Sequence, residues 1–207
     1  MKLVYVMDPM CSWCWAFSPA LQHVLSQHPS LDVHYIMGGL APDSDQPMPT
    51  AQREQIEAIW HTISDKTGTT FNHDFWRQCE PRRSTYPACR AVISAEQLKP
   101  GSAAKMISAI QHAYYLQAQN PSDEDTLIAA AESIDLDRTT FQDTLRSAQT
   151  EAQLQQHFQI AHTLQASGFP SVYVSKSTGE CIPVSQGYCD ADTLQQRVQA
   201  ALDSLQQ

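Results

Sequence analysis

Two thiols separated by two residues, Cys11-Ser12-Trp13-Cys14, are the part of this 207-residue sequence best suited to chemistry. Cysteines at that spacing serve metal ligation, covalent haem attachment or disulfide exchange. Haem attachment calls for a histidine directly after the second cysteine, where this chain has Trp15. A four-cysteine zinc site needs a second close pair, and the remaining cysteines, at 79, 89, 181 and 189, do not supply one. Disulfide exchange remains, a reaction in which a thiolate attacks a disulfide sulfur and a second thiol resolves the mixed disulfide.

The flanking sequence supplies elements that would position such a pair. Leu3 to Met7 is a short apolar run with β-branched Val4 and Val6, which predicts a buried strand. Asp8-Pro9 ends it. From Ser12 to about Gln27 the residues Trp13, Phe17, Leu21, Val24 and Leu25 recur at helical spacing, with Pro19 as an expected kink. Cys11 therefore stands at a helix N-terminus, where unpaired N–H groups and the helix dipole favour a negative sulfur. Cys14 lies one turn further in, expected to be the more buried, and is placed to resolve. Two packed core cysteines would share this spacing, because free cysteine is among the most buried residue types. The strand-to-helix placement favours the reactive pair.

Further along, Leu31, Val33, Tyr35 and Met37 alternate as a second strand leading into Gly38-Gly39, and the turn formers from Ala41 to Pro49 read as a linker. A helical block follows, with helices expected near 50–65, 71–78, 86–98, 102–119, 123–134, 138–147 and 150–166. Ser122 and Asp137 are expected as helix caps, and Pro87 suits a first helical turn. After Gly168 the period returns to that of strands. Ser171 to Val174, a tight turn at Ser177-Thr178-Gly179-Glu180 and Cys181 to Ser185 predict a hairpin, followed by an amphipathic helix from about Ala191. The order is β-α-β, helices, then β-β-α, an α/β chain expected to divide into residues 1–45, a helical insertion over 46–156, and 157–207.

Composition narrows the partners. Thirteen Lys and Arg against 22 Asp and Glu give a formal charge of −9, which leaves no basic surface for a phosphate backbone. Nucleic acid is not an expected partner. No window holds the ~18 apolar residues of a membrane span, and the start reaches Asp8 before an export-signal core develops, so the cytoplasm is the expected location. Eight scattered histidines suggest no metal site. Cys79 with Cys89, or Cys181 with Cys189, could form an auxiliary disulfide, but all four read better as packed thiols, and Arg77, Arg82, Arg83 and Arg90 as a solvated helix-end face rather than an anion site.

A proline that opens a strand, as in Gly168-Phe169-Pro170-Ser171-Val172-Tyr173-Val174, is ordinarily an edge or turn device with a trans bond. Here, however, the sequence resembles the thioredoxin-like superfamily, in which a β-β-α unit opens with a cis-proline facing the cysteine pair of a β-α-β unit. The helical insertion between the units resembles the DsbA-related branch. Asp8-Pro9-Met10-Cys11-Ser12-Trp13-Cys14-Trp15-Ala16-Phe17, together with Ser84-Thr85-Tyr86-Pro87-Ala88-Cys89-Arg90-Ala91-Val92, is similar to cytoplasmic, FrnE-like members. The resemblance implies a thioredoxin-like fold interrupted by a helical domain and a thiol–disulfide oxidoreductase. Cys11 would be its nucleophile and Cys14 its resolving cysteine, with Phe169 and Pro170 docking substrate, and Ser12, Trp13 and Trp15 lining the approach. It implies protein thiols or disulfides as substrates, no bound cofactor beyond glutathione as a co-substrate, and a monomer or homodimer. Ser12-Trp13 replaces the Pro-His of DsbA itself, so a strongly oxidising potential does not carry over. Kappa-type glutathione transferases and isomerases share the insertion but usually carry serine at the position of Cys11. Client-binding adaptors of the same branch form the non-enzymatic alternative.

Overall fold

The computed structural model describes residues 1–176 and 179–206; the expected turn at Ser177-Thr178 lies outside the described residues. The chain runs β1 (Lys2–Met7), α1 (Ser12–Gln27), β2 (Asp32–Met37), then α2 (Thr50–Thr67), α3 (Phe75–Gln78), α4 (Tyr86–Leu98), α5 (Ala103–Tyr115), α6 (Glu124–Glu132), α7 (Arg138–Leu145) and α8 (Ala148–Thr163). It closes with β3 (Ser171–Ser175), β4 (Cys181–Gln186) and α9 (Ala191–Gln206). This is the expected order of β-α-β, a helical block, then β-β-α. Among the described residues, no helix is long and apolar enough to cross a membrane.

The four strands form one mixed sheet in the order β2-β1-β3-β4. β1 pairs in parallel with β2, Val6 opposite Ile36, and antiparallel with β3, Val6 opposite Ser171. A register shift between Val172 and Tyr173 leaves Pro183 opposite Tyr173 on the edge strand β4, where a missing N–H costs no ladder bond to a further strand. The strand alternation of β1 divides the core. Leu3, Tyr5 and Met7 pack with Phe17, Leu21 and Val24 of α1 and with Leu194 and Val198 of α9. Val4, Val6 and Ile36 turn the other way, onto Ala161 of α8. α1 runs without interruption through Pro19, which is exposed.

The insertion shares the first of these cores through Val92, Met106, Ile110, Leu127 and Phe141. A second, aromatic core joins Trp60, Phe71, Phe75, Trp76, Tyr114 and Tyr115 to Ala16 of α1. α8 leaves the insertion and covers the sheet as one helix, so the expected division between 156 and 157 falls inside it.

Local bonding explains where elements differ from expectation. The helix expected over 71–78 is confined to Phe75–Gln78, because Asn72 donates its N–H to Tyr115 O (2.7 Å) and its amide to Leu116 O (3.1 Å), tying this stretch to the end of α5. α5 itself stops at Tyr115, short of 119, and Ala118 takes a left-handed φ of 54°. Asp137 caps α7 through Thr140 N–H (2.9 Å) as expected. Ser122 does not cap α6. Its hydroxyl donates to Ser84 O (2.7 Å), and Asp123 takes the N-cap position.

Candidate active site

The loop between β1 and α1 is organised by a buried carboxylate. Asp8 accepts bonds from Met10 N–H (2.8 Å), Leu40 N–H (2.7 Å) and Thr85 Oγ1 (2.6 Å), with the Cys89 thiol also directed at it (3.7 Å). One side chain thus ties the cysteine loop to the exit of β2 and to the start of α4. Burial raises the Asp8 carboxyl above its usual range, and these donors oppose the rise. Asp8 O also accepts the Cys11 N–H (3.0 Å), which leaves Cys11 at the N-cap of α1 in extended backbone.

Both cysteines of the pair are free thiols. The Cys11 thiol donates toward Phe169 O, 3.7 Å away. Cys14 sits one turn deeper with no exposed surface, against 7% exposure for Cys11. Burial, reinforced by the Cys11 sulfur beside it, pushes the Cys14 thiol well up. Tyr5 stands behind Cys14. Its hydroxyl is buried without a hydrogen-bond partner among the described residues, and burial, with the Cys14 thiol beside it, raises its pKa.

The Phe169–Pro170 bond is cis. Pro170 is buried, and its carbonyl accepts the Gly187 N–H (2.7 Å), fastening the loop to the end of β4. The Phe169 ring occupies the space over Gly38, where an added Cβ would lie 2.0 Å from a ring carbon. No residue larger than glycine fits at that point without moving Phe169.

Cys11, Ser12, Trp13 and Phe169 line one cavity of about 250 Å³. Its far wall is built by the insertion, with Ile56, Trp60 and Tyr114 as apolar surface and Arg82 and Arg83 as charge. Trp15, expected at the same approach, is elsewhere. Two residues advance a helix by about 200°, so Trp15 departs from the side of Trp13, stacks on Tyr115 and donates to Thr70 O (3.1 Å). It lines a separate cavity of about 750 Å³ with Tyr5, Ser18 and Gln111.

Of the arginines, Arg77 pairs with Asp74, Arg82 with Asp123, and Arg90 with Asp43 and Glu151. Arg83 is exposed and has no ion-pair partner among the described residues. Cys79 donates to Ala118 O (3.0 Å) and Cys189 lies 3.4 Å from Ser185 Oγ, while Cys181 opens β4 opposite Ser175. Sequence reasoning missed Asp8, Gly38 and Trp60 as parts of this site. It also passed over Glu57, His61 and His73, whose ligand atoms lie within 4.8 Å of one another. The Glu57–His61 spacing of one helical turn was the available signal.

Residues 2–199 match the family model of the DSBA-like thioredoxin domain. The ClpXP adapter protein SpxH of Halalkalibacterium halodurans is 25% identical over 152 residues, covering 71% of this chain and 49% of that protein. The chain thus spans about half the length of this curated relative. Among solved structures, a "putative protein disulfide isomerase" from Nitrosomonas europaea superposes with a TM-score of 0.88 at 27% identity, over 99% of each chain. The cytosolic disulfide reductase DsbM from Pseudomonas aeruginosa superposes at 0.80 and 23% identity, over 99% of this chain and 100% of its own; a structure of it with GSH gives 0.79. With a family match over nearly its whole length and the fold to go with it, this chain belongs to the DSBA-like thioredoxin domain family.

Proposed function

We propose that the protein is a cytoplasmic, FrnE-like thiol–disulfide oxidoreductase working through Cys11 and Cys14. One observation carries the reading: Cys11 stands at the N-cap of α1 at the wall of a cavity, its sulfur facing Phe169 O, with Cys14 enclosed one turn behind. The Cys11 thiolate attacks a substrate disulfide, forming a mixed disulfide and releasing one substrate thiolate. Cys14 then gives up its proton and attacks Cys11 Sγ, releasing the second thiolate and leaving a Cys11–Cys14 disulfide. Two electrons pass to the substrate, and a dithiol or two small thiols return them. Phe169, held by Pro170, flanks Cys11 together with Ser12 and Trp13, and substrate docks between them and the wall supplied by the insertion. The solved structure of DsbM with GSH supports glutathione as one such thiol.

Arg83 fits this substrate chemistry. Glutathione carries two carboxylates, and Arg83 offers an unpaired guanidinium on the cavity that Cys11 lines. Arg83→Ala should raise KM for glutathione disulfide and leave that for neutral 2-hydroxyethyl disulfide unchanged. Equal effects on both would remove the charge assignment. The test of the function itself is the equilibrium potential of the pair in glutathione buffers. A reversible two-electron couple, lost in Cys11→Ser, is expected; absence of a couple would overturn the reading.

The match to an adapter protein favours a second reading, that of client binding without turnover. Client binding that survives both Cys11→Ser and Cys14→Ser, with no redox couple in the parent, would establish it.

A further inference from the structure

Outside the groove, three side chains with metal-ligating atoms converge from two parts of the chain. Glu57 and His61 stand one turn apart on α2, and His73 comes from the segment before α3. Their ligand atoms lie within 4.8 Å of one another. The His61 and His73 rings are stacked at 4.1 Å and 14°, and His73 Nδ1 is 3.1 Å from Glu57 Oε1. Glu57 and His73 are half-buried and His61 is exposed, so the cluster has an enclosed side and an open one. We propose that Glu57, His61 and His73 form a binding site for a zinc-type divalent cation.

The donor set fits that class of ion. Two imidazole nitrogens and one carboxylate oxygen suit borderline first-row cations, and three protein ligands with a water in the fourth position make a tetrahedral zinc site. Bond lengths of about 2.0–2.2 Å place tetrahedral ligand atoms about 3.3 Å apart. The Glu57–His73 contact already meets this, and rotation of the exposed His61 side chain brings in the third. An ion pair with a stacked neighbour is the competing account, and it predicts no metal affinity.

Position gives the site its consequence. His73 packs edge-on against Trp60 at 5.8 Å, and Trp60, with Ile56 and Ile59 on the same helix, lines the cavity that holds Cys11. A cation held by α2 and by the segment before α3 would fasten this wall of the groove from behind. No thiol takes part.

The intact protein, stripped with a chelator and kept reduced, is titrated with Zn²⁺ by calorimetry and with Co²⁺ by absorption. One equivalent should bind, with cobalt bands of nitrogen and oxygen ligation and none of the near-ultraviolet intensity that thiolate ligation gives. His61→Ala and His73→Ala should each weaken binding by at least the roughly 10–100-fold that loss of a supporting group costs. Glu57→Gln should weaken it as well. His61 is exposed, so its variant keeps the fold, as far-ultraviolet circular dichroism would verify. Unchanged affinity in the two histidine variants, a thiolate signature, or no saturation up to millimolar zinc would each overturn the proposal.

Discussion

Cys11 and Cys14 are one helical turn apart, yet they meet different surroundings, and the difference fits the roles proposed for them. Cys11 borders an open cavity, whereas Cys14 is enclosed and its thiol form is favoured by burial. Iodoacetamide should therefore modify Cys11 first, with Cys14 lagging, as peptide mass mapping over time would read. Equal rates would contradict the assignment. Asp8 allows a second test at this scale. Every partner of its carboxylate is a donor, so Asp8→Asn would turn an amide N–H₂ toward groups that themselves need acceptors. A buried donor left unpaired costs about 1–3 kcal/mol, and the urea unfolding free energy should fall by about 2 kcal/mol; an unchanged value would refute the clamp. The cysteine pair was legible in the sequence because its spacing is local. Asp8 was not, because its partners Leu40 and Thr85 arrive from distant segments, and Trp15, which the resemblance placed at the approach, lines another cavity because two residues turn the helix by about 200°.

Among the elements, the loop ahead of β3 and the exit of β2 depend on each other through Gly38 and the Phe169 ring. Gly38→Ala would press a methyl group into that ring and shift the Phe169 carbonyl relative to Cys11. Misplacement of about an ångström is enough to cost up to 100-fold, so kcat/KM for a model disulfide should fall about tenfold or more with the fold retained. Activity equal to the parent would show that Phe169 has no positioning role. The junction of α8 with the sheet should respond to acid through His157. His157 Nδ1 accepts the Met37 N–H (3.1 Å) at the end of β2, and burial, with His34 nearby, lowers its pKa from the ordinary 6.5 to about 4. The fold favours the neutral ring, so this contribution is complete above pH 6.5 and is lost as the pH falls toward about 4. The urea midpoint should drop over that window in the parent and less in His157→Gln, which keeps an acceptor without a titrating ring. Parallel curves would exclude His157 as the source. Strands and long helices were legible from their periods. The shortened α3 and the displaced cap of α6 were not, since side-chain bonds to remote carbonyls override local pattern.

For the whole molecule, the order β-α-β, helices, β-β-α could be read directly, and the resemblance supplied how the halves meet. Periodicity alone cannot show that β3 lies beside β1, that α8 covers the sheet, or that the insertion provides the far wall of the groove, because each is a contact between segments far apart in sequence. That separation also governs how the protein comes into being. β1 and the dithiol are synthesised first, but Val6 must wait for Ser171 to complete its strand pairing, and Cys11 for Phe169 to face it. Chain elongation at about 5–20 residues per second makes that a wait of many seconds. Through it the two thiols are carried on a nascent polypeptide without the Phe169-Pro170 loop, and β1 has one edge unfilled. Closing the sheet must then overcome the entropy of a loop that contains nearly the entire insertion. Any cell that makes this protein must therefore hold Cys11 and Cys14 through an interval in which neither the loop that faces them nor the sheet beneath them is complete.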